Sequence, residues 1–245
     1  MAWAAGFVDS ACYDQLRHIY TSHMTGNTAS LASRVLQADW RDAGRFAWAL
    51  ACFLFGLLVS AALTRAERRH GIRSAFAAAL GLELALLGVF ILIGPSSNAA
   101  LLIALPAAAM GVQTVTVTRV GSLRVYTTYL TGSLSKFAEA LTEYLFWAWD
   151  RTKGRFHRRI GKVLRVTPRQ EPAQLAALTA GLWGAFFTGA VAGAAGDYAW
   201  GRMALILPMA LLAAAIAIDL TYPVALGEVS DDEIRRRRRY RPRKK

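Results

Sequence analysis

The chain has 245 residues, of which 55% are hydrophobic and 18% charged, and its mean hydropathy is +0.30. Its formal net charge is nevertheless +13, from 29 Lys and Arg against 16 Asp and Glu. This composition excludes a disordered chain and a collagen, and it is typical of a multi-pass membrane protein with basic loops. Two cysteines, Cys12 and Cys52, and four histidines are too few for a disulfide framework or a structural zinc cluster.

Five segments are apolar and long enough to cross a bilayer, which needs about 20 residues per helix. They are residues 45–64, 74–94, 99–118, 175–196 and 203–220. Two further segments, residues 2–36 and 126–149, are interrupted by charged and polar residues. No basic leader or cleavage site precedes the apolar start, so we expect no cleaved signal peptide. We expect instead either a short first helix or a chain that begins upstream.

The Lys and Arg residues are clustered. Four lie within residues 65–73, eight within 151–169 and nine within 235–245, which together make 21 of the 29. The connections at 95–98 and 197–200 carry none. Because cytoplasmic loops of membrane proteins are enriched in Lys and Arg, we expect the three clusters and both termini in the cytoplasm.

Two sequence patterns occur twice in the same order. The segment 23–28 (HMTGNT) is similar to 129–134 (YLTGSL), and residues 53–62 share their Phe, Gly and small-residue spacing with residues 186–195. The basic clusters predict that the two helices containing the second pattern run in opposite directions. Repeats of opposite orientation are typical of transporters and channels.

We therefore expect an all-α integral membrane protein of about six transmembrane helices, arranged as two inverted three-helix repeats. Residues 1–94 form the first repeat, and residues 95–222 form the second, which includes a basic cytoplasmic loop at 151–174. Residues 223–245 are expected to form a disordered basic tail. The first helix of each repeat is expected to break at a Thr-Gly motif, near the binding site that such folds contain.

Each repeat contains one Thr-Gly motif: Thr25-Gly26-Asn27 and Thr131-Gly132-Ser133. These residues have low helix propensity and suit a turn or a helix N-cap, so we expect helices after them at 28–36 and 134–149. A helix N-terminus inside the membrane offers backbone N–H groups to an anion or a polar ligand. The alternative is a tight bend where small residues let helices touch, and both interpretations stay open.

Several short motifs are shared with a known family: Ala5-Gly6-Phe7-Val8-Asp9, His23-Met24-Thr25-Gly26-Asn27, Gly111-Val112-Gln113, and Arg119-x-Gly121 followed by Thr127-Thr128-x-x-Thr131-Gly132. Through them the chain resembles, over nearly its whole length, the YoaK-like family of bacterial integral membrane proteins, a family of unknown function. The resemblance implies a multi-pass protein of the bacterial inner membrane and no catalytic residues. The chain departs from the family pattern in the polar segment 10–18 and in its basic tail.

Polar residues inside apolar helices are functional candidates, since a charge at the centre of a membrane helix costs about 2.5–3.5 kcal/mol. Glu83 lies in the middle of its helix and is interpreted as a proton acceptor, a cation ligand or a protonated structural carboxyl. Asp9 and Gln113 occupy comparable places in the two repeats. We interpret them as two sides of one polar site or as a structural hydrogen bond.

Small residues at four-residue spacing form two stripes, which we interpret as helix-packing surfaces within or between protomers. The first stripe includes Gly56 and Ser60, and the second includes Gly181, Gly189 and Gly193.

The function predicted from these patterns is a transporter or channel for a small solute or ion. The candidate site residues are Asp9, Thr25, Gly26, Asn27, Glu83, Gln113, Thr131, Gly132 and Ser133. The alternative is a non-transporting scaffold or regulator that contacts lipids or a partner through its basic tail. We expect no enzymatic activity, metal or cofactor, because no nucleophile, zinc or phosphate-loop motif is present. The expected partners are the bilayer and anionic lipids at the basic segments. A homo-oligomer stays open, and nucleic acid is not expected.

Overall fold

The computed structural model describes residues 1–70, 74–94, 97–115, 119–120, 123–124, 130–152 and 166–221. The helices in this part of the chain are α1 (Ala2–Tyr13), α2 (Met24–Leu36), α3 (Trp40–His70), α4 (Ala75–Leu92), α5 (Ala99–Val115), α6 (Leu130–Thr152), α7 (Glu171–Trp200) and α8 (Ile206–Thr221). Short 3₁₀ turns cover Thr167–Arg169 and Gly201–Leu205, and Arg119–Val120 pairs antiparallel with Leu123–Arg124. The tail predicted at 223–245 and most of the predicted basic loop lie outside the described residues.

Three stretches of these helices are long and apolar enough to cross a membrane: Trp40–Ala66, Ala75–Leu92 and Glu171–Thr221. A shorter apolar helix covers Ala99–Thr114. Large hydrophobic side chains such as Phe55 on α3 and Phe187 on α7 are exposed on the outside of the helices, as is normal for residues that face lipid. The protein is therefore an α-helical membrane protein, as its composition predicted.

The third stretch contains two helices because the chain turns at Gly201. The backbone N–H of Gly201 bonds to the carbonyl of Asp197 and ends α7. Gly201 has a φ of +53°, in the left-handed region that glycine adopts without a steric penalty. The 3₁₀ turn that follows leads directly into α8.

Contacts at the helix ends show which way each helix runs. Gln15, just after α1, donates a hydrogen bond to Asp197 near the end of α7. Arg202, which follows α7, donates to Gln15 at 2.9 Å and to the carbonyl of Ile93, at the end of α4, at 2.6 Å. Helices α1, α4 and α7 therefore all end on one side of the molecule.

Helices α3, α5 and α8 run in the opposite direction. Trp48, near the start of α3, donates to the carbonyl of Ala100 at the start of α5 at 2.9 Å. On the far side, Ser74 at the start of α4 bonds to Asp219 near the end of α8. Because α3 ends four residues before Ser74, α3 and α8 end on the same side.

The first close helix contact joins α1 to α7, and we call it the α1–α7 seam. A methyl group built on Gly6 would lie 2.1 Å from the carbonyl oxygen of Phe186, and one built on Gly189 would lie 2.0 Å from that of Trp3. At Gly193 the corresponding distance to the Phe7 carbonyl oxygen is 2.2 Å. These distances leave room for glycine alone, so the two backbones touch.

The second close contact joins α3 to α5, and we call it the α3–α5 seam. Methyl groups on Gly56 and Gly111 would each lie 2.2 Å from a carbonyl oxygen of the opposite helix, that of Ala108 and that of Phe53 respectively. Small residues thus bring two pairs of helices into backbone contact, which gains van der Waals energy where lipid offers no hydrophobic driving force.

Both helices that carry a Thr-Gly motif begin before it, and the expected starts at residues 28 and 134 were wrong. Helix α2 begins at Met24 and α6 at Leu130, so each motif forms the first turn. The first four N–H groups of a helix have no carbonyl partner within the helix. Residues of low helix propensity therefore destabilise the first turn less than they would the helix interior. In the first repeat the break between helices covers residues 14–23, ahead of the motif.

Candidate functional site

Asp9, in the last turns of α1, holds the chain segment that follows the helix. Its Oδ1 accepts hydrogen bonds from the Thr21 N–H at 2.7 Å, the Thr21 hydroxyl at 2.8 Å and the Ser22 N–H at 2.8 Å. All three residues are buried. Hydrogen bonds to a carboxylate are strong and offset part of the cost of burying it. Asp9 therefore holds residues 14–23 against α1.

Asn27, in the first turn of α2, holds the same segment from its other side. Its Oδ1 accepts from the Tyr20 N–H at 3.1 Å, and its Nδ2 donates to the Tyr20 carbonyl at 2.7 Å. The side-chain amide thus satisfies both backbone groups of one residue, and Asn27 is completely buried. The structure brings Asp9 and Asn27 together as two anchors of one loop.

The other two residues of the first motif lie nearer the surface. Thr25 is exposed and Gly26 is half-buried. A methyl group on Gly26 would lie 2.5 Å from Cδ2 of His23, the residue that precedes α2. Gly26 is therefore the small residue over which the His23 ring packs, and Asn27 supplies the hydrogen bonds of the motif.

The second motif opens α6 in the same way. Thr131 is exposed, Gly132 is half-buried and Ser133 is 8% exposed. The residues before it correspond to the loop that Asp9 and Asn27 hold, since Tyr20-Thr21-Ser22 has the counterpart Tyr126-Thr127-Thr128 at the same offset of 106 positions. The structure of residues 125–129 lies outside the described part of the chain.

Glu83 lies in the middle of α4 and is completely buried. It belongs to one buried face of α4, with Leu80, Leu87 and Phe90, and α4 packs against both α5 and α8. Within the described residues, neither carboxyl oxygen of Glu83 has a hydrogen-bond partner. Glu83 is thus separate from the hydrogen-bonded loop of Asp9. Gln113, near the end of α5, is also buried.

A polar cluster lies where α1, α4 and α7 end, and the sequence reasoning missed it. Arg202 bonds to Gln15 and to the Ile93 carbonyl, and its guanidinium lies 4.7 Å from the centre of the Phe90 ring. Gln15 in turn bonds to Asp197. One signal could have indicated the cluster: Arg202 is the only Lys or Arg between residues 170 and 222.

The residues predicted to pack helices differ in their surroundings. Gly56, Gly189 and Gly193 lie at the two seams, whereas Gly181 has no neighbouring atom within 4 Å of an added methyl group. Ser60 is completely buried on α3, and its hydroxyl oxygen has no hydrogen-bond partner among the described residues.

Metal binding finds no support in the described residues, where no group of three or more His, Cys, Asp or Glu side chains could hold an ion. Cys12 and Cys52 are buried free thiols. Among the described residues, three buried carboxyls lie in apolar helices: Asp9, Glu83 and Asp219. Asp9 bonds to Thr21 and Ser22, and Asp219 bonds to Ser74, whereas Glu83 has no hydrogen-bond partner in the described structure.

A family model described as "Protein of unknown function (DUF1275)" matches residues 1–218. The chain belongs to this family. The UPF0700 transmembrane protein YoaK of Bacillus subtilis (strain 168) is 29% identical over 146 residues, which are 58% of this chain and 65% of that protein. The chain thus spans 65% of the length of this curated relative. No solved structure matches the chain. The predicted resemblance to YoaK-like proteins is confirmed. This relative is named a transmembrane protein, which agrees with the long apolar helices of this chain.

Proposed function

We propose that this protein is a transporter or channel for a small polar solute or an ion. It is built from two inverted repeats, residues 1–94 and 95–222, with the substrate path between them. The observation that supports this most strongly is the reciprocal packing of the seams. The first helix of each repeat, α1 or α5, packs against a long helix, and the two contacts correspond residue by residue.

The two seams are related by constant offsets in the sequence. In one seam Gly6 meets Phe186, and in the other Gly111 meets Phe53. Gly111 lies 105 positions after Gly6, and Phe186 lies 133 positions after Phe53. A second pair of contacts follows the same two offsets: Gly189 with Trp3, and Gly56 with Ala108. Repeats related by a twofold axis produce such paired contacts.

The helix directions support an inversion between the repeats. Corresponding helices run in opposite directions: α1 and α5, α3 and α7, and α4 and α8, as judged from the contacts at their ends. In transporters with inverted repeats, the substrate site lies near the bilayer midplane at the repeat interface, beside broken helices. Glu83 and Gln113 are polar side chains buried in this interior, and Thr131, Gly132 and Ser133 open the helix beyond the second break.

The basic segments support one orientation in the membrane. In the sequence, the three basic segments are next to the end of α3, the start of α7 and the end of α8: residues 65–73, 151–169 and 235–245. These three helix ends lie on one side of the molecule. The positive-inside rule assigns that side, with both termini, to the cytoplasm of a bacterial inner membrane. Anionic lipids would contact these segments, each basic residue contributing about 1 kcal/mol.

The proposal is tested by flux through proteoliposomes that contain the purified full chain. The solutes are inorganic cations and anions, short carboxylates, amino acids and polyols, applied as gradients. Charged solutes are followed by currents on a solid-supported membrane, and neutral ones by osmotic light scattering. We expect one class to give a signal that empty liposomes lack, and the signal should persist when residues 235–245 are deleted. Failure of every class in liposomes that hold folded protein contradicts the proposal.

The alternative function is a membrane scaffold or regulator without transport or enzymatic activity. The observation that favours it is the density of nine Lys and Arg within residues 235–245. Deletion of these residues should then abolish binding to vesicles that contain anionic lipid, with the fold intact and no solute moving in either form.

A further inference from the structure

Glu83 is placed where a carboxyl group is costly. It lies at the centre of α4, a helix with no other charged residue between Ala75 and Leu92, and it is completely buried. Both of its oxygens are without a hydrogen-bond partner in the described structure. Burying an ionised carboxyl without donors is strongly unfavourable, so these surroundings favour the neutral, protonated form.

The helices around Glu83 supply little charge to offset this burial. Helix α5 has no ionisable residue, and α8 has Asp219, which bonds to Ser74 at the far end of α4. The 3₁₀ turn supplies Arg202, which is engaged with Gln15 and Ile93. The charged residues with described side chains on α3 are Arg41, Asp42 and Arg45 near its start and Arg65 towards its other end. Helix α3 also contains the thiol of Cys52. Among the described residues, the amino group of Met1 lies near enough to act on Glu83 through its charge, without a hydrogen bond to it.

A metal cation fits this position less well than a proton does. Hard cations require several oxygen ligands around them. The buried side chains on the Glu83 face of α4 within one to two turns are Ala79, Leu80, Leu87 and Phe90, and none of them has a side-chain oxygen. A single proton needs the carboxylate alone.

We propose that Glu83 is a membrane-embedded proton-binding site and that transport by this protein is coupled to protons. The carboxylate takes a proton from water on one side of the membrane and becomes the neutral acid. In that form it is buried on the inner face of α4, and it returns the proton to water on the other side. The inference rests on the proposed transport function, because a carboxyl that never meets water has no proton to exchange.

One contact at each end of α4 would have to break and re-form during such an exchange. At one end Arg202 binds the Ile93 carbonyl, and at the other Ser74 bonds to Asp219. Both contacts join α4 to elements of the second repeat. Water would reach Glu83 from either side when the contact at that end is released.

The test labels the full chain in proteoliposomes with dicyclohexylcarbodiimide, an apolar reagent that reacts with protonated carboxylic acids. The labelled residue is identified by peptide mass spectrometry, while the pH of one compartment is varied and the other is held constant. We expect Glu83 to be labelled, and the rate to fall when either compartment is made alkaline. Glu83→Gln should remove this label. Asp14 and Glu171, which are exposed, should react with a water-soluble carbodiimide instead.

Three results would overturn the inference: no label on Glu83, labelling that ignores the pH of one or both compartments, and labelling slowed by Na⁺ at constant pH. The last result would assign the site to a cation. A chain with a blocked N-terminal amine should behave like the unblocked chain, and a loss of pH dependence there also contradicts the inference. The labelling assay contains no transported solute, so it tests the proton site separately from transport. If Glu83 is labelled as expected but no solute moves in the flux assay, the transport proposal is wrong and the proton site stands.

Discussion

The α1–α7 seam and the α3–α5 seam have the same backbone geometry but different polar residues. Gly193 of α7 meets the carbonyl of Phe7, and the corresponding residue of α3 is Ser60, whose hydroxyl is buried without a described partner. The seam offset of 105 positions relates Asp9 to Thr114, so the predicted pairing of Asp9 with Gln113 is off by one residue. Asp9 on α1 binds the loop that follows it, while Thr114 on α5 bonds to the carbonyl of Met110 in its own helix at 2.8 Å.

The difference separates packing from chemistry in this fold. Backbone contact through glycine is repeated in both seams, so it is required by the arrangement of the helices. The polar side chains are not repeated, so the packing does not require them. Asp9 closes a loop, Thr114 bonds within its own helix, and the Ser60 hydroxyl has no partner among the described residues. Variants that alter one seam at a time can therefore test each role.

The largest effect is expected when a seam glycine is replaced by a large residue. Gly189→Leu and Gly56→Leu each place side-chain atoms where a backbone oxygen lies 2.0 or 2.2 Å from the added carbon. Overpacking against backbone should destabilise the protein by about 3 kcal/mol or more. Melting temperature and monodispersity in detergent measure the effect. Gly184→Leu is the matched control, since Gly184 has no neighbour within 4 Å. If all three variants behave alike, the seams are wrongly assigned.

The next largest effect is expected at the end of the α1–α7 seam. Arg202→Met removes the hydrogen bonds to Gln15 and to the Ile93 carbonyl. Hydrogen bonds to a charged group contribute about 1.5–3 kcal/mol each. Arg202 is only half-buried, so water can replace part of the lost interaction, and we expect a net loss of about 2 kcal/mol in the free energy of unfolding. The control in the other seam is Trp48→Phe, which removes one exposed hydrogen bond to Ala100 and should cost about 1 kcal/mol or less. Equal losses for both variants would contradict the assignment.

A smaller and more local effect is expected at Asp9. Asp9→Asn keeps the size of the side chain but weakens the acceptor of three hydrogen bonds. Amide hydrogen exchange should therefore quicken at Thr21 and Ser22, by about tenfold for each 1.4 kcal/mol lost. Thr114→Ala, at the corresponding place in the other seam, should leave exchange at these amides unchanged. Unaltered protection in Asp9→Asn would show that the loop is held by other contacts.

The smallest effect on stability is expected at Ser60. Ser60→Gly gives position 60 the same residue as its counterpart in the other seam, Gly193. It also removes a buried hydroxyl that has no described partner. Removing such a group gains about 1 kcal/mol, and glycine inside a helix costs about 0.5–1 kcal/mol, so we expect a net change within about 1 kcal/mol. Thermal unfolding measures this, with Gly193→Ser as the reciprocal variant, which should destabilise. If Ser60→Gly lowers stability by clearly more than about 1 kcal/mol, the hydroxyl takes part in the α3–α5 seam.

Much of the helix layout could be predicted because membrane spans depend on local composition. The apolar segments at 45–64, 74–94 and 99–118 lie within or close to α3, α4 and α5. The small-residue stripes contained the seam glycines of α3 and α7 but not their partners Gly6 and Gly111. The helix starts at the Thr-Gly motifs could not be predicted, since glycine near an N-terminus fits a turn or a first helical turn equally well.

The polar contacts depend on long-range packing and could not be predicted. Asp9 was identified as a polar residue in an apolar helix, but its partners Thr21 and Ser22 follow a loop in which Arg17 and His18 have positive φ angles. Such a path has no periodic pattern in the sequence. Arg202 binds groups from α4 and from the segment after α1, and a sequence does not show which helix ends meet.

Access of water to the middle of α4 is the most direct test of a path between the repeats. In a background of Cys12→Ala and Cys52→Ala, Leu80→Cys and Leu87→Cys place one thiol on each side of Glu83, on its buried face. Ala85→Cys, on the exposed face, is the lipid-facing control. A membrane-impermeant thiol reagent should modify Leu87→Cys from one side of the proteoliposome and Leu80→Cys from the other, and it should leave Ala85→Cys unmodified. If both buried positions react only after unfolding, the interior is closed and the protein is not a transporter.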